Sequence, residues 1–218
     1  GYATLAYDRL GIGKSDHPDA LQIVQIPIQI EILHAMVQML RSQSICQQNL
    51  SVVGVGHSIG AGIAQGQIAL YPKDYDAAIL SGTSTKFNFA SIGQVSTNQI
   101  NANTDPSCIR TTMKRAFNSR QTKAIGEGFT GAAAFVVAPD YTGPIDIVNG
   151  ENDYFFCGGN CLFPTDQTVL VRPTFFPSAN NGSSHFIVPG TGHNVGLHHG
   201  ASEGYNHSIE FLKSNNIY

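Results

Sequence analysis

The stretch Gly54–Gly62, GVGHSIGAG, places four glycines around one histidine and one serine. Whether it cradles a phosphate or presents a nucleophile decides how the rest of the chain is read. A dinucleotide fingerprint requires G-x-G-x-x-G, and after Gly54 and Gly56 the next glycine, Gly60, falls one residue too far. A second decoy, Gly13-Lys14-Ser15, copies the end of a P-loop, but the leading glycine of that motif would be residue 8, which is Asp8. An aspartate there repels phosphate, so both nucleotide readings fail.

The pattern that fits is G-x-S-x-G, as Gly56-His57-Ser58-Ile59-Gly60. Before it, residues 50–55 (LSVVGV) form a short apolar run of buried-strand type. After it, small and apolar residues from Ile59 to Leu70 recur at helical spacing until Tyr71-Pro72. At a tight strand-to-helix turn a serine is held in a strained conformation, and Oγ projects at the C-terminal edge of the sheet. Glycines two residues to either side are expected to avoid clashes there. Gly62 and Ala64 are expected to let the helix approach the strands. The Ile59 N–H, at the helix start, is placed to stabilise an oxyanion.

Further strands of the same non-alternating type are expected at 3–7 (ATLAY), 76–82 (DAAILSG), 145–150 (IDIVNG) and 185–190 (HFIVPG). Residues 26–41 place Ile26, Ile30, Leu33, Val37 and Leu40 on one helical face. A closing helix over 201–213 is expected to place Tyr205, Ile209 and Leu212 on one face. Apolar strands separated by helices indicate a mostly parallel sheet covered on both faces, an α/β fold. Residues 84–142 interrupt the alternation with Ser/Thr/Asn-rich turns, a short helix after Asp105-Pro106 (Ile109, Met113, Ala116, Phe117) and scattered Phe87, Phe89, Phe129 and Phe135. Such an insertion reads as a cap or lid, or as a surface excursion with a small core of its own.

Composition bounds the partners. The chain has 218 residues and a formal charge of -3, with no basic stripe, so nucleic acid is not an expected partner. No apolar run approaches the roughly 18 residues of a membrane span. Of four cysteines, Cys157 and Cys161 lie in CGGNC, where two glycines let the chain fold back to bring the sulfurs together; Cys46 and Cys108 stand alone. Disulfide or free thiol is favoured over metal, which would want a second close ligand pair. Sequons at Asn49, Asn181 and Asn206 make glycosylation candidates and, with the cysteines, lean the expectation toward an extracellular, secreted protein.

Taken in order, these motifs resemble the α/β-hydrolase superfamily over almost the whole chain. Asp8 with Gly11-x-Gly13-x-Ser15-Asp16 is similar to the loop after that family's fourth strand, and GHSIG to its nucleophile elbow. Gly150-Glu151-Asn152-Asp153 is similar to its acid turn, and Gly192-His193-Asn194 to its histidine loop. The resemblance implies Ser58 as nucleophile, His193 as general base and then acid, and Asp153 as the acid that orients the imidazole. Glu151 and Asp146 are rival acids. His198 and His199 are expected at a helix start, His185 at a strand start, and His57 with its side chain turned away from Ser58 Oγ. Core segments 1–83 and 143–218 would flank the 84–142 cap. The implied activity is hydrolysis of a carboxylic ester through an acyl-enzyme, with no cofactor. The alternatives are an inactive binding protein on the same scaffold, or a lyase or lactonase using the same triad.

The chain departs from the family before residue 3. Three strands that the family places there, and a histidine-glycine loop giving a second oxyanion donor, have no counterpart. The missing third strand would lie between the strands at 3–7 and 50–55. Three explanations stand: an N-terminal companion chain cut from the same precursor, an incomplete sequence, or direct pairing of 3–7 with 50–55 in a reduced sheet.

Overall fold

A computed structural model describes residues 1–42, 51–86, 118 and 123–218. Its elements are α1 (Ile26–Arg41), β1 (Val53–His57), α2 (Ile59–Leu70), β2 (Ala77–Ser81), α3 (Ile125–Phe129), β3 (Ile145–Gly150), α4 (Tyr154–Cys157), α5 (Val171–Phe175), β4 (Ser184–Val188) and α6 (Ala201–Ser214). The strands form one parallel sheet in the order β1-β2-β3-β4, with Val55 opposite Ile79, Leu80 opposite Ile147 and Val148 opposite Phe186.

The period-2 alternation of strand side chains sends successive residues to opposite faces, and both faces are covered. Ala78, Leu80, Ile145 and Ile147 pack with Val37 of α1 and Ala61, Ala64 and Ile68 of α2. Ala77 on the other face meets Phe211 and Leu212 of α6, with Val53 and Ile79 against them. Burying a Leu or Ile side chain stabilises by about 1.5–3 kcal/mol, so Leu80 and Ile147, both fully enclosed, are among the anchors of the sheet. No helix among the described residues is long and apolar enough to cross a membrane.

Three expectations are corrected. Residues 3–7 form no strand and pair with nothing in the sheet; Leu5 is half exposed, and β1 is the outer strand with Val55 73% exposed. A strand is defined by its neighbour, and among the described residues no ladder partner lies beside this segment. A cavity of about 580 Å³, lined by Tyr7, Asp8, Lys14, Ile32 and Met36 among others, opens beside it instead. The strand expected at 50–55 runs over 53–57, because Gly56 and His57 pair with Leu80 and Ser81 of β2; before it, Val52 N–H donates to the Asp76 carboxylate (2.7 Å) and Val52 O accepts from Asp76 N (2.9 Å). On α6, Tyr205 and Ile209 face outward, and the buried face is Gly204, Phe211 and Leu212. Gly204 sets this rotation: a Cβ there would already stand 3.1 Å from Val188 and 3.5 Å from Val148.

The face of α6 that meets the sheet also carries a polar link. Asp146, fully buried in β3, accepts from Ser184 Oγ (2.6 Å), His207 Nε2 (3.0 Å) and Ser208 Oγ (2.7 Å). A buried carboxylate is tolerated when its lone pairs are occupied in this way.

Of the 84–142 insertion, residues 87–117 and 119–122 lie outside the described residues, and with them Phe87, Phe89, Cys108 and the helix expected after Asp105-Pro106. The described end of the insertion joins the core: Ala138 and Tyr141 pack with β3 and Phe176, while Ala134 and Phe135 pack on α1 and α2. Phe129 is exposed. Cys46 and Asn49 also lie outside the described residues; Asn181 and Asn206 reach solvent.

Candidate active site

The turn between β1 and α2 is a single residue. Ser58 has φ 55 and ψ -119, a backbone conformation that costs a non-glycine residue about 1–3 kcal/mol. Its N–H donates to the Ser81 carbonyl (2.9 Å) and its own carbonyl accepts from Gly62 N (3.1 Å), which tie the strained residue to β2 and α2. Gly56 is required: a Cβ there would stand 2.5 Å from the Gly60 carbonyl oxygen. Gly60 is not, since a Cβ at that position meets open space. Gly62 serves a different neighbour from the one expected, as its Cβ would strike Ala134 at 2.8 Å rather than a strand. Ile59 opens α2, where the N–H has no intrahelical acceptor.

His193 lies in the loop after β4 and is 4% exposed. Its Nε2 is 2.8 Å from Ser58 Oγ and its Nδ1 is 2.8 Å from Asp153 Oδ2. Asp153 is fully buried after β3 and caps α4, with Oδ1 accepting from Phe156 N (3.1 Å). Two loops must meet for this to happen, and they do so backbone to backbone. Asn152 N donates to the Thr191 carbonyl (2.8 Å), and a Cβ on Gly150 would stand 2.1 Å from the Gly192 carbonyl oxygen. The rings of Phe155 and Phe156 lie 4.8 and 5.7 Å from the His193 ring. Cys157 and Cys161 are joined in a disulfide just beyond them, and Cys161 N donates to the Glu151 carbonyl (2.7 Å).

The other acids and histidines are engaged elsewhere. Glu151 Oε2 accepts from Gly190 N (2.7 Å), and Asp146 holds α6. His185 is exposed at the start of β4, 3.9 Å from Asp166. His198 lies before α6 rather than in it; its Nε2 accepts from the N–H of Gly192 (3.2 Å), the residue before His193. Burial pushes its pKa down, and the charge of His199 adds to that.

His57, expected to turn away from Ser58 Oγ, engages Ser81 and Asn194 instead, and sequence reasoning gave it no partners. Its ring is 4.9 Å from that of His193, with Nδ1 2.9 Å from Ser81 Oγ and Nε2 2.9 Å from Asn194 Oδ1. Burial, and then the nearby His193, push its pKa down to about 4 against the opposing pull of Asn194 and Asp153. No motif signals this, because Ser81 and Asn194 are 24 and 137 residues away.

The Hydrolase_4 family model, described as serine aminopeptidase, S33, matches residues 1–125, more than half of the chain and including Ser58. The chain belongs to this family. This S33-family protein is therefore a member of the α/β-hydrolase superfamily and, in class, a serine hydrolase. Its fold is also that of solved structures. BpoC of Mycobacterium tuberculosis H37Rv, described as a non-heme bromoperoxidase, is 15% identical with TM-score 0.66, covering 95% of this chain and 80% of that one. A thermophilic esterase from Thermogutta terrifontis is 14% identical with TM-score 0.63, covering 95% and 78%. A serine hydrolase from the polyaromatic-hydrocarbon-degrading bacterium Cycloclasticus zankles is 17% identical with TM-score 0.60, covering 97% and 78%. No curated protein sequence matches the S33-family chain.

Proposed function

We propose that this serine hydrolase cleaves carboxylic esters through an acyl-enzyme, with Ser58 as nucleophile, His193 as base and acid, and Asp153 as the orienting carboxylate. The observation that carries the reading is the unbroken hydrogen-bonded chain from Ser58 Oγ through His193 to Asp153, 2.8 Å at each step, at a strained strand-to-helix turn. In the first half-reaction Ser58 Oγ bonds to the ester carbonyl carbon as its proton passes to His193 Nε2. The charge on the carbonyl oxygen develops toward the Ile59 N–H. The proton then passes from Nε2 to the alkoxide, the C–O bond breaks, and the acyl group remains on Ser58. Water, deprotonated by His193, attacks the acyl carbon and restores Ser58–OH. Phe155, only partly buried beside His193, favours an apolar acyl or alcohol group.

An aminopeptidase must bind a substrate ammonium group with a carboxylate near the nucleophile. Among the described residues, the two acids of the β3 turn are engaged, Asp153 by His193 and Glu151 by Gly190 N. The Cys157–Cys161 disulfide supports the further proposal that the protein matures in an oxidising, secretory compartment.

Fluorophosphonate labelling, read by peptide mass spectrometry and paired with hydrolysis of an activated ester, tests the reading. A single adduct on Ser58, lost in Ser58→Ala and slowed in His193→Ala, with ester turnover, is the expected result. No adduct on folded protein would leave the binding-protein reading ahead. An adduct without ester turnover would favour a lyase.

A further inference from the structure

His57 occupies the second position of the serine pentapeptide, yet both of its ring nitrogens are engaged. The amide oxygen of Asn194 can only accept, so His57 Nε2 carries the proton and Nδ1 accepts from the Ser81 hydroxyl. One imidazole thereby joins the end of β1, the end of β2 and the residue immediately after His193. Gly82 closes the arrangement. It has φ 58, and a Cβ there would stand 2.7 Å from His57 Cε1 and 3.0 Å from His193 Cε1, so the two rings share a slot that only glycine leaves open.

We propose that His57 is a positioning residue for the base: as a neutral, Nε2-protonated imidazole it holds Asn194, and through Asn194 holds His193 in register with Ser58. This rests on the reading of His193 as the base. Neutrality matters as much as position, because His193 must accept the Ser58 proton, and a second cation one ring away would oppose that transfer. The charged groups acting on His57 are His193, which opposes its protonation, and Asp153, which favours it. Burial adds to the effect of His193, so His57 is held neutral beside the base.

The test compares His57→Leu, His57→Gln, Asn194→Ala and the His57→Leu/Asn194→Ala double variant with the intact protein. Each is assayed by activated-ester kinetics and by the rate of fluorophosphonate labelling. Misplacing a base by about 1 Å costs on the order of 100-fold. His57→Leu is therefore expected to lower kcat and the labelling rate by about 10–100-fold, with KM within about twofold. His57→Gln, which offers an amide donor to Asn194 and an oxygen to Ser81, is expected to recover most of the loss. The double variant is expected to lose no more than the worse single one, since both break the same link. Wild-type kcat in His57→Leu, multiplicative losses in the double variant, or no recovery in a folded His57→Gln would overturn the proposal. If His57→Leu does not fold, Asn194→Ala and His57→Gln carry the comparison.

Imidazole nitrogen chemical shifts provide a readout independent of turnover, and so separate failure of this proposal from failure of the ester-hydrolase reading. His57 is expected to remain a neutral Nε2–H tautomer down to about pH 5. Titration near an ordinary histidine value, or an Nδ1–H tautomer, would overturn it whether or not Ser58 labels.

Discussion

Gly150 and Gly192 meet backbone to backbone: a Cβ on Gly150 would stand 2.1 Å from the Gly192 carbonyl oxygen and 2.7 Å from that of Thr191. The end of β3, which leads to Asp153, is thereby pressed against the loop that carries His193. Neither contact is with a flexible side-chain tip, so Gly150→Ala must move one loop away from the other. The expected result is a loss of kcat of about 100-fold or more, in line with a displacement of about 1 Å at the base. A melting temperature lowered by several degrees should accompany it. Ester kinetics alongside thermal melts check this, and an unchanged kcat would mean that the loops can part without moving His193.

Asp153→Asn separates position from charge. Asp153 Oδ1 accepts from Phe156 N, so an asparagine keeps its carbonyl oxygen there and turns its NH2 toward His193 Nδ1. That donor forces the His193 proton onto Nε2, where it can no longer receive one from Ser58. The expected loss in kcat is about 10³–10⁴-fold, the size found when the orienting acid of such a triad is replaced by its amide. KM and the melting temperature should change little. A loss below about tenfold would show that Asp153 does not set the tautomer.

How far these relationships can be read from the chain depends on the distance over which each is specified. The helices at 26–41 and 59–70 and the strand at 145–150 have the bounds their periodicity predicts, because each is specified within its own segment. Residues 3–7 have the composition of a strand and none of its pairing, since a ladder requires a neighbour that local composition does not name. The inward face of α6 is set by Gly204, and a hydrophobicity pattern gives no weight to a residue that packs by being small. Ser58, Asp153 and His193 are each legible because each follows a strand with a glycine close by. His57, Gly82, Asn194 and His198 are not, because what they do depends on partners brought together only by the sheet.

The Cys157–Cys161 bridge closes a short loop, with a sequence separation of 4, directly after the acid. Loop-closure entropy for about five residues corresponds to roughly 2 kcal/mol. The Cys157→Ser/Cys161→Ser double variant is expected to unfold at lower denaturant concentration by about that amount. Because the same loop sets Phe155 and Phe156 against His193, some loss of kcat should follow in the folded fraction. Reducing the native protein should reproduce both effects. Equal stability of the oxidised and reduced protein would mean that the hydrogen bonds from Cys161 N and Cys157 N hold the loop without the bridge.

Burial of neutral His57 makes folding itself depend on pH, with a sign fixed by where the proton binds. Burial pushes the pKa of folded His57 down to about 4, against about 6.5 for an unperturbed histidine such as the unfolded chain approaches. Between these values the unfolded state holds more protons, so stability rises with pH across that window. It is full above about pH 6.5 and is lost as the pH falls toward 4, by at most about 3.4 kcal/mol for this one group at 1.36 kcal/mol per unit. Urea midpoints measured from pH 7 to pH 4 should therefore fall more steeply for the native protein than for His57→Gln, which has no proton to bind. Every other group is common to both proteins, so the difference between the two curves isolates His57. Parallel curves would mean that His57 binds its proton as readily in the fold as out of it, and that the space between Gly82, Ser81 and Asn194 admits a charge.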